Sequence, residues 1–300
     1  MPASYELERD ACGIGFVADG RGRASRSIVD STLEALCRVR HRGAVAADEL
    51  TGDGAGVLLP IPRALVAKAD EDEARLGIAM CFFDPEGVED GRAAIAQACT
   101  DQGLELLRWR AVPVEPAALG DAARAAQPVI EQAIVQRPEG ADEAEGERRA
   151  FRARRAAEGS ARGLGSSLYV SSFSFRTTTY KALCAADQLG TFYPDLVDAR
   201  YSAWFGIFHQ RYSTNTTPSW QRAQPFRLLA HNGEINTIRG NVALMRAREG
   251  HLGASDIAGE ELLRPVIDTS TSDSGVLDQV LELLVRGGRD PRHAMAMMLP

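Results

Sequence analysis

Apolar and polar positions alternate along the chain in two distinct rhythms. Short apolar runs bounded by turn residues predict strands at 12–17, 57–61, 76–83, 104–114 and 128–136. Apolar residues three and four apart predict helices at 27–40, 87–102 and 117–126. In the first helix Ile28, Val29, Leu33, Leu36 and Cys37 carry the spacing, with Ser27 at the cap position. This order of strand, helix and strand points to a layered α/β arrangement. In 139–162, Glu139, Asp142, Glu143, Glu145 and Glu147 precede Arg148, Arg149, Arg152, Arg154 and Arg155, which suits a helix dipole and predicts a solvated surface helix without chemistry. Strands resume at 168–175, 203–212 and 226–230, and helical spacing returns at 235–248 and 275–285. The apolar end, through Met295, Met297, Met298 and Leu299, has no following cap and leads us to expect a domain truncated at its C-terminus.

Composition narrows the function classes. The 300 residues hold 34 Lys plus Arg against 41 Asp plus Glu, a net charge of −7. That balance argues against a chain built to coat nucleic acid or anionic membrane. The apolar runs fall far short of the roughly 20 residues needed to cross a bilayer. The leader MPASYELERDA lacks a basic and then apolar signal pattern, so it is not a secretory signal. Cys12, Cys37, Cys81, Cys99 and Cys184 are widely spaced with no CxxC pair. They fit neither a disulfide framework nor a zinc site, and a reducing cytoplasm is expected. Cys37, Cys81, Cys99 and Cys184 are expected as buried small apolar residues.

Gly52, Gly54 and Gly56 in TGDGAGV invite a phosphate site, but a dinucleotide fingerprint would need glycine at Val57, and no GxxxxGK[ST] occurs. A tight turn or a close approach of backbone explains them better. The densest polar loop chemistry lies between 209 and 241. Asn232 and Gly233 follow an apolar run and precede a helix; an amide side chain beside a backbone N–H can hold a developing oxyanion, or form a plain turn. Arg211 can clamp a carboxylate bidentately or form a surface ion pair. Asp273, in TSTSDSG, can cap the following helix or accept bonds from an ammonium group. Cys12 begins a strand. Removal of eleven residues would leave its α-amine, of pKa about 8, to serve as base for its own thiol; the alternative is a buried strand cysteine.

Taken together, CGIGFV at 12–17, RHRGA at 40–44, TGDGAG at 51–56, HQRYSTN at 209–215, AQPFRLLAHNGEIN at 223–236 and TSDS at 271–274 resemble the amidotransferase domain of the glutamate synthase large subunit. The HRG, HxRYST and HNGEI elements are shared more widely among class II glutamine amidotransferases, while 84–165 carries little of the likeness. The resemblance implies an α+β fold, the four-layer αββα sandwich of the N-terminal-nucleophile hydrolases. It implies a propeptide, residues 1–11, removed to free Cys12, and a type-2 amidotransferase domain over 12–300.

Residue by residue, the resemblance makes Cys12 the nucleophile and its freed α-amine the general base and acid. Asn232 and the Gly233 N–H become the oxyanion hole, Arg211 the clamp on the glutamine α-carboxylate and Asp273 the partner of its α-ammonium. Arg42 and Gly43 would line the pocket beside the nucleophile, and Thr214 and His231 would orient the site. The implied reaction is hydrolysis of L-glutamine to L-glutamate and ammonia through a thioester. The ammonia would be channelled to synthase domains of the same polypeptide that aminate 2-oxoglutarate. FMN, an iron–sulfur cluster and a small electron-donating subunit are expected there, with no cofactor, metal, nucleic acid or membrane bound by these 300 residues. A stand-alone glutaminase or amidotransferase for another acceptor, and a non-catalytic glutamine-binding module, are the alternatives.

Overall fold

The apolar run at 76–83 becomes a strand buried along its whole length. A computed structural model describes residues 13–48, 50–211, 217–233, 235–249 and 264–298. The strands are β1 (Gly13–Ala18), β2 (Ala55–Pro60), β3 (Leu76–Phe83), β4 (Glu105–Ala111), β5 (Val129–Gln136), β6 (Leu168–Ser174), β7 (Thr177–Ala182) and β8 (Phe205–Gln210). The helices are α1 (Arg26–Arg38), α2 (Arg63–Val66), α3 (Val88–Asp101), α4 (Asp121–Ala125), α5 (Glu143–Gly163), α6 (Leu189–Phe192), α7 (Ile238–Glu249), α8 (Asp273–Arg286) and α9 (Pro291–Met298).

Among the described residues the strands form two four-stranded sheets, ordered β1–β8–β2–β7 and β4–β5–β3–β6. Every pairing is antiparallel. The fold is therefore α+β, which corrects the α/β layering read from element order alone: the strands joined by α1, α3 and α5 do not pair with each other, because an antiparallel strand lies between the two in each case. The period of two in β3 shows in its partners. Ala79, Cys81 and Phe83 pack with Ala133 and Val135 against the alanines of α3 and α5. Met80 and Phe82 join a second cluster with Val57, Leu59 and Tyr180 of the first sheet and Val29 and Leu36 of α1. Each large apolar side chain removed from water here contributes about 1.5–3 kcal/mol.

Four expectations change. The acidic-then-basic stretch is helix α5, but it is not solvated. Ala150, Ala153, Ala157 and Ala161 form a buried small-residue stripe, which lets α5 lie against α3. Its Glu147 accepts bonds from Ser174 Oγ at 2.6 Å and the Phe175 N–H at 2.7 Å. Its Arg154 pairs with Glu158 at 2.6 Å and Glu282 at 2.5 Å. The apolar run 226–230 is not a strand, because the Leu228 and Leu229 N–H groups donate to the Asp278 carboxylate of α8 instead of to a sheet edge. A strand unexpected from the pattern, β7, forms from TTTYKA and pairs with β2. Cys37 is exposed, one position off the buried Val29–Thr32–Leu36 stripe of α1, whereas Cys81, Cys99 and Cys184 are buried as expected. No described helix is long and apolar enough to cross a membrane.

Candidate active site

The end of β8 organises the candidate residues. At the close of its ladder, Gly13 of β1 and Ala55 of β2 both register with Gln210. A short helical turn at Arg40–Arg42 follows α1 and is closed by the Gly43 N–H on the Arg40 carbonyl. It brings Arg42 and Gly43 over this ladder: a Cβ on Gly13 would lie 3.3 Å from Arg42 Cβ, and one on Gly43 would enter the Gln210 side chain. Arg42 and Gly43 are thus beside the residue that follows Cys12. Cys12 itself, Thr214 and the leader 1–11 lie outside the described residues.

Arg211 continues from β8. Its N–H donates to the Gly54 carbonyl at 2.8 Å, its guanidinium reaches the Asp53 carbonyl at 3.5 Å, and only 5% of it is exposed. That burial removes the surface ion-pair alternative. Gly54, at φ +126°, packs against Ala223, and a Cβ on Gly56 would meet the Gln224 and Tyr180 carbonyls. The glycines of TGDGAG therefore serve close approach of chain to chain, which leaves their backbone facing protein rather than a phosphate.

The second half of the site is the turn after 230. Gly233 takes φ +104°, a left-handed value that glycine adopts without cost. His231, two residues before it, is held from several sides. Its N–H donates to Gln224 Oε1 at 2.9 Å, and its carbonyl accepts from Gln224 Nε2 at 3.1 Å. His209 Nε2 lies 3.3 Å from the same carbonyl. His231 Nδ1 is 3.0 Å from Ser274 Oγ. Burial pushes the His209 imidazole down to about 4, against the opposing bonds to the His231 carbonyl and the Asn232 side chain. A neutral ring facing a carbonyl carries its proton on that nitrogen, so His209 Nε2 is the donor.

Of the two roles open to Asp273, the helix N-cap is taken by its neighbour. The N-cap of α8 is Ser272, whose Oγ accepts from the Gly275 N–H at 3.2 Å. Asp273 is the first helical residue, and its carboxylate accepts the Ile235 N–H at 2.8 Å and the Ser274 N–H at 2.6 Å. It thereby ties the far end of the Asn232–Gly233 turn to α8. Its Oδ1 also accepts from Ser274 Oγ at 3.4 Å.

Sequence reasoning did not single out His209, Gln210, Gln224, Ser274 or Lys181. Lys181 carried a signal nonetheless. Only Lys68 and Lys181 are lysines in a chain with 34 basic residues, and Lys181 is fully buried. Its Nζ has three partners grouped around one nitrogen, an arrangement that suits a compact amino group and not a planar guanidinium.

With this geometry in place, the comparisons with known proteins are decisive. The model of the class-II glutamine amidotransferases matches residues 12–300. The chain belongs to that family. It is 43% identical to ferredoxin-dependent glutamate synthase 2 of Synechocystis, over 98% of this chain and 19% of that protein. It is 40% identical to the glutamate synthase [NADPH] large chain of Azospirillum brasilense, over 98% of this chain and 20% of that one. The Bacillus subtilis large chain is 38% identical over the same shares. The chain thus spans about a fifth of the length of these relatives. In this amidotransferase no described cluster of three or more His, Cys, Asp or Glu side chains is placed to hold a metal ion.

Proposed function

We propose that the chain is the glutaminase part of a glutamate synthase large subunit, built as the four-layer αββα sandwich of the N-terminal-nucleophile hydrolases. The observation that carries this reading is the family match, which begins at residue 12 and runs the length of the chain. Cleavage after Ala11 frees the Cys12 α-amine, which takes the thiol proton. The sulfur attacks the side-chain carbonyl carbon of L-glutamine. The oxyanion so formed is held by the Asn232 amide and the Gly233 N–H. The α-amine returns the proton to the leaving nitrogen, ammonia departs and a glutamyl thioester remains. Water then hydrolyses the thioester, releasing L-glutamate and the thiol. Arg211 holds the substrate α-carboxylate and Asp273 its α-ammonium, while Arg42, Gly43, Thr214 and His231 shape the pocket.

Within the whole polypeptide, ammonia passes to synthase domains that aminate 2-oxoglutarate, using electrons from ferredoxin or from an NADPH-oxidising subunit. The names of the relatives support this. FMN and an iron–sulfur cluster do not fit the described residues, since the four described cysteines form no group with other ligands and the TGDGAG glycines pack against protein. Their place is in the rest of the longer chain. Reduced, unpaired cysteines suit the cytoplasm.

The test is ammonia release from L-glutamine by chain shown by intact mass to start at Cys12. We expect one ammonia per glutamate, and none from Cys12→Ala or from chain retaining residues 1–11. Turnover by Cys12→Ala would overturn the mechanism, and glutamine binding without turnover by the mature chain would favour the binding-module alternative.

A further inference from the structure

The segment 231–233 lies in neither a helix nor a strand, yet its backbone is tied as firmly as a ladder. The side-chain amide of Gln224 closes a two-bond ring with one residue, accepting the His231 N–H at 2.9 Å and donating to the His231 carbonyl at 3.1 Å. This reproduces what a neighbouring strand would supply, using a side chain that is 5% exposed. The second lone pair of the same carbonyl faces His209 Nε2 at 3.3 Å. Two residues past Gly233, the Ile235 N–H is fixed to Asp273 at 2.8 Å. Asn232 and Gly233 are suspended between these posts.

Gln224 is itself anchored. Lys181 Nζ lies 2.9 Å from the Gln221 carbonyl, 2.8 Å from the Ala223 carbonyl and 2.8 Å from Tyr169 Oη. It also sits over the Tyr169 and Phe226 rings, 4.7 and 5.1 Å from their centroids. Two of its three polar contacts lie on the strap immediately before Gln224. The buried Lys181 amine thus sets the backbone from which the glutamine reaches across.

We infer that Gln224 is a positioning residue for the Asn232–Gly233 oxyanion turn, with buried Lys181 as its anchor. The inference rests on the function proposed above. Gln224 acts on the His231 backbone, and through it on Asn232 and Gly233, so its loss has a defined ceiling. A displacement of order 1 Å at an oriented catalytic group costs about 10²-fold in rate.

In mature chain, Gln224→Met, which keeps the length and removes both bonds, is expected to lower kcat by about 10²-fold while KM for L-glutamine stays within about twofold. Added to Asn232→Ala, it is expected to lower kcat by less than it does alone, because both changes act on the same oxyanion hole. Protection of the His231 amide against hydrogen exchange is expected to drop in Gln224→Met and in Lys181→Met. If Gln224→Met does not fold, Gln224→Glu keeps the volume and the N–H acceptor but sets an oxygen against the His231 carbonyl, and the same kcat-only loss is expected. A loss confined to KM, a loss that multiplies with Asn232→Ala, or unchanged His231 protection would each overturn the inference. Exchange separates this result from the parent reading. Lost protection in a chain that never releases ammonia supports the clamp and sinks the glutaminase; an active chain indifferent to Gln224→Met does the reverse.

Discussion

Under α3 and α5, the side chains of Ala79, Cys81 and Phe83 meet alanines and an isoleucine, with Phe83 edge-on to Trp109 at 5.8 Å. At the end of β8, His231 meets Gln224, His209 and Ser274 through polar atoms. The first region is held by area removed from water, which is non-directional and tolerant of small shifts. The second is held by hydrogen bonds whose geometry fixes where two donors point. The first therefore supplies stability and the second supplies placement, and substitutions are expected to separate them.

The largest effect on stability is expected in the apolar region. Phe83→Ala removes a fully buried ring and is expected to cost about 3–5 kcal/mol in denaturant unfolding, with kcat near that of the parent below the transition. Asn232→Ala is expected to do the opposite, lowering kcat by about 10²–10³ while the unfolding midpoint barely moves. Comparable stability losses in the two variants would erase the distinction drawn between the regions.

The same contrast decides what could be read from the sequence. The elements β3, β5, α1 and α3 were legible because alternation and helical spacing report burial directly. The alanine stripe of α5 was not, because its charges mask it and because their partners, such as Glu282 for Arg154, lie 128 residues away. β7 hid behind its three threonines and lysine, although threonine and tyrosine favour strands. At the site, Asn232, Gly233 and Arg211 stood out because their chemistry is local to a motif. Gln224, His209 and Lys181 did not, because each acts on a backbone group brought near only by the fold: Gln224 reaches seven residues on and Lys181 reaches 42.

A pH profile of stability is the next sharpest probe. His209 is held at about 4 inside the folded chain by burial, against about 6.5 when unfolded. Between these values the unfolded chain binds the extra proton, so the unfolding free energy is complete above about pH 6.5 and falls as pH drops to about 4. The contribution lost is on the order of 3 kcal/mol. His209→Gln keeps a donor for the His231 carbonyl and does not titrate. The difference between the two stability profiles is expected to lie in this window, and superposable profiles would mean that the ring is not buried as described.

The smallest expected effect tests the stiffness of the clamp. Among the described residues a Cβ at Gly233 would meet no atom within 4 Å, so Gly233→Ala introduces no collision with them. Its cost is confined to holding alanine at φ +104°, about 1–3 kcal/mol for a strained backbone. That strain has two outlets. If His231 and Ile235 are pinned as their bonds to Gln224 and Asp273 imply, the turn keeps its shape and the strain appears as lost stability, with kcat retained within about tenfold. If the turn is soft, alanine relaxes to negative φ, the N–H of residue 233 rotates away from the oxyanion and kcat falls while the unfolding midpoint stays in place. We expect the first pattern in paired measurements of unfolding and ammonia release. Combining Gly233→Ala with Gln224→Met should then convert it to the second, because releasing one post lets the backbone choose the cheaper conformation.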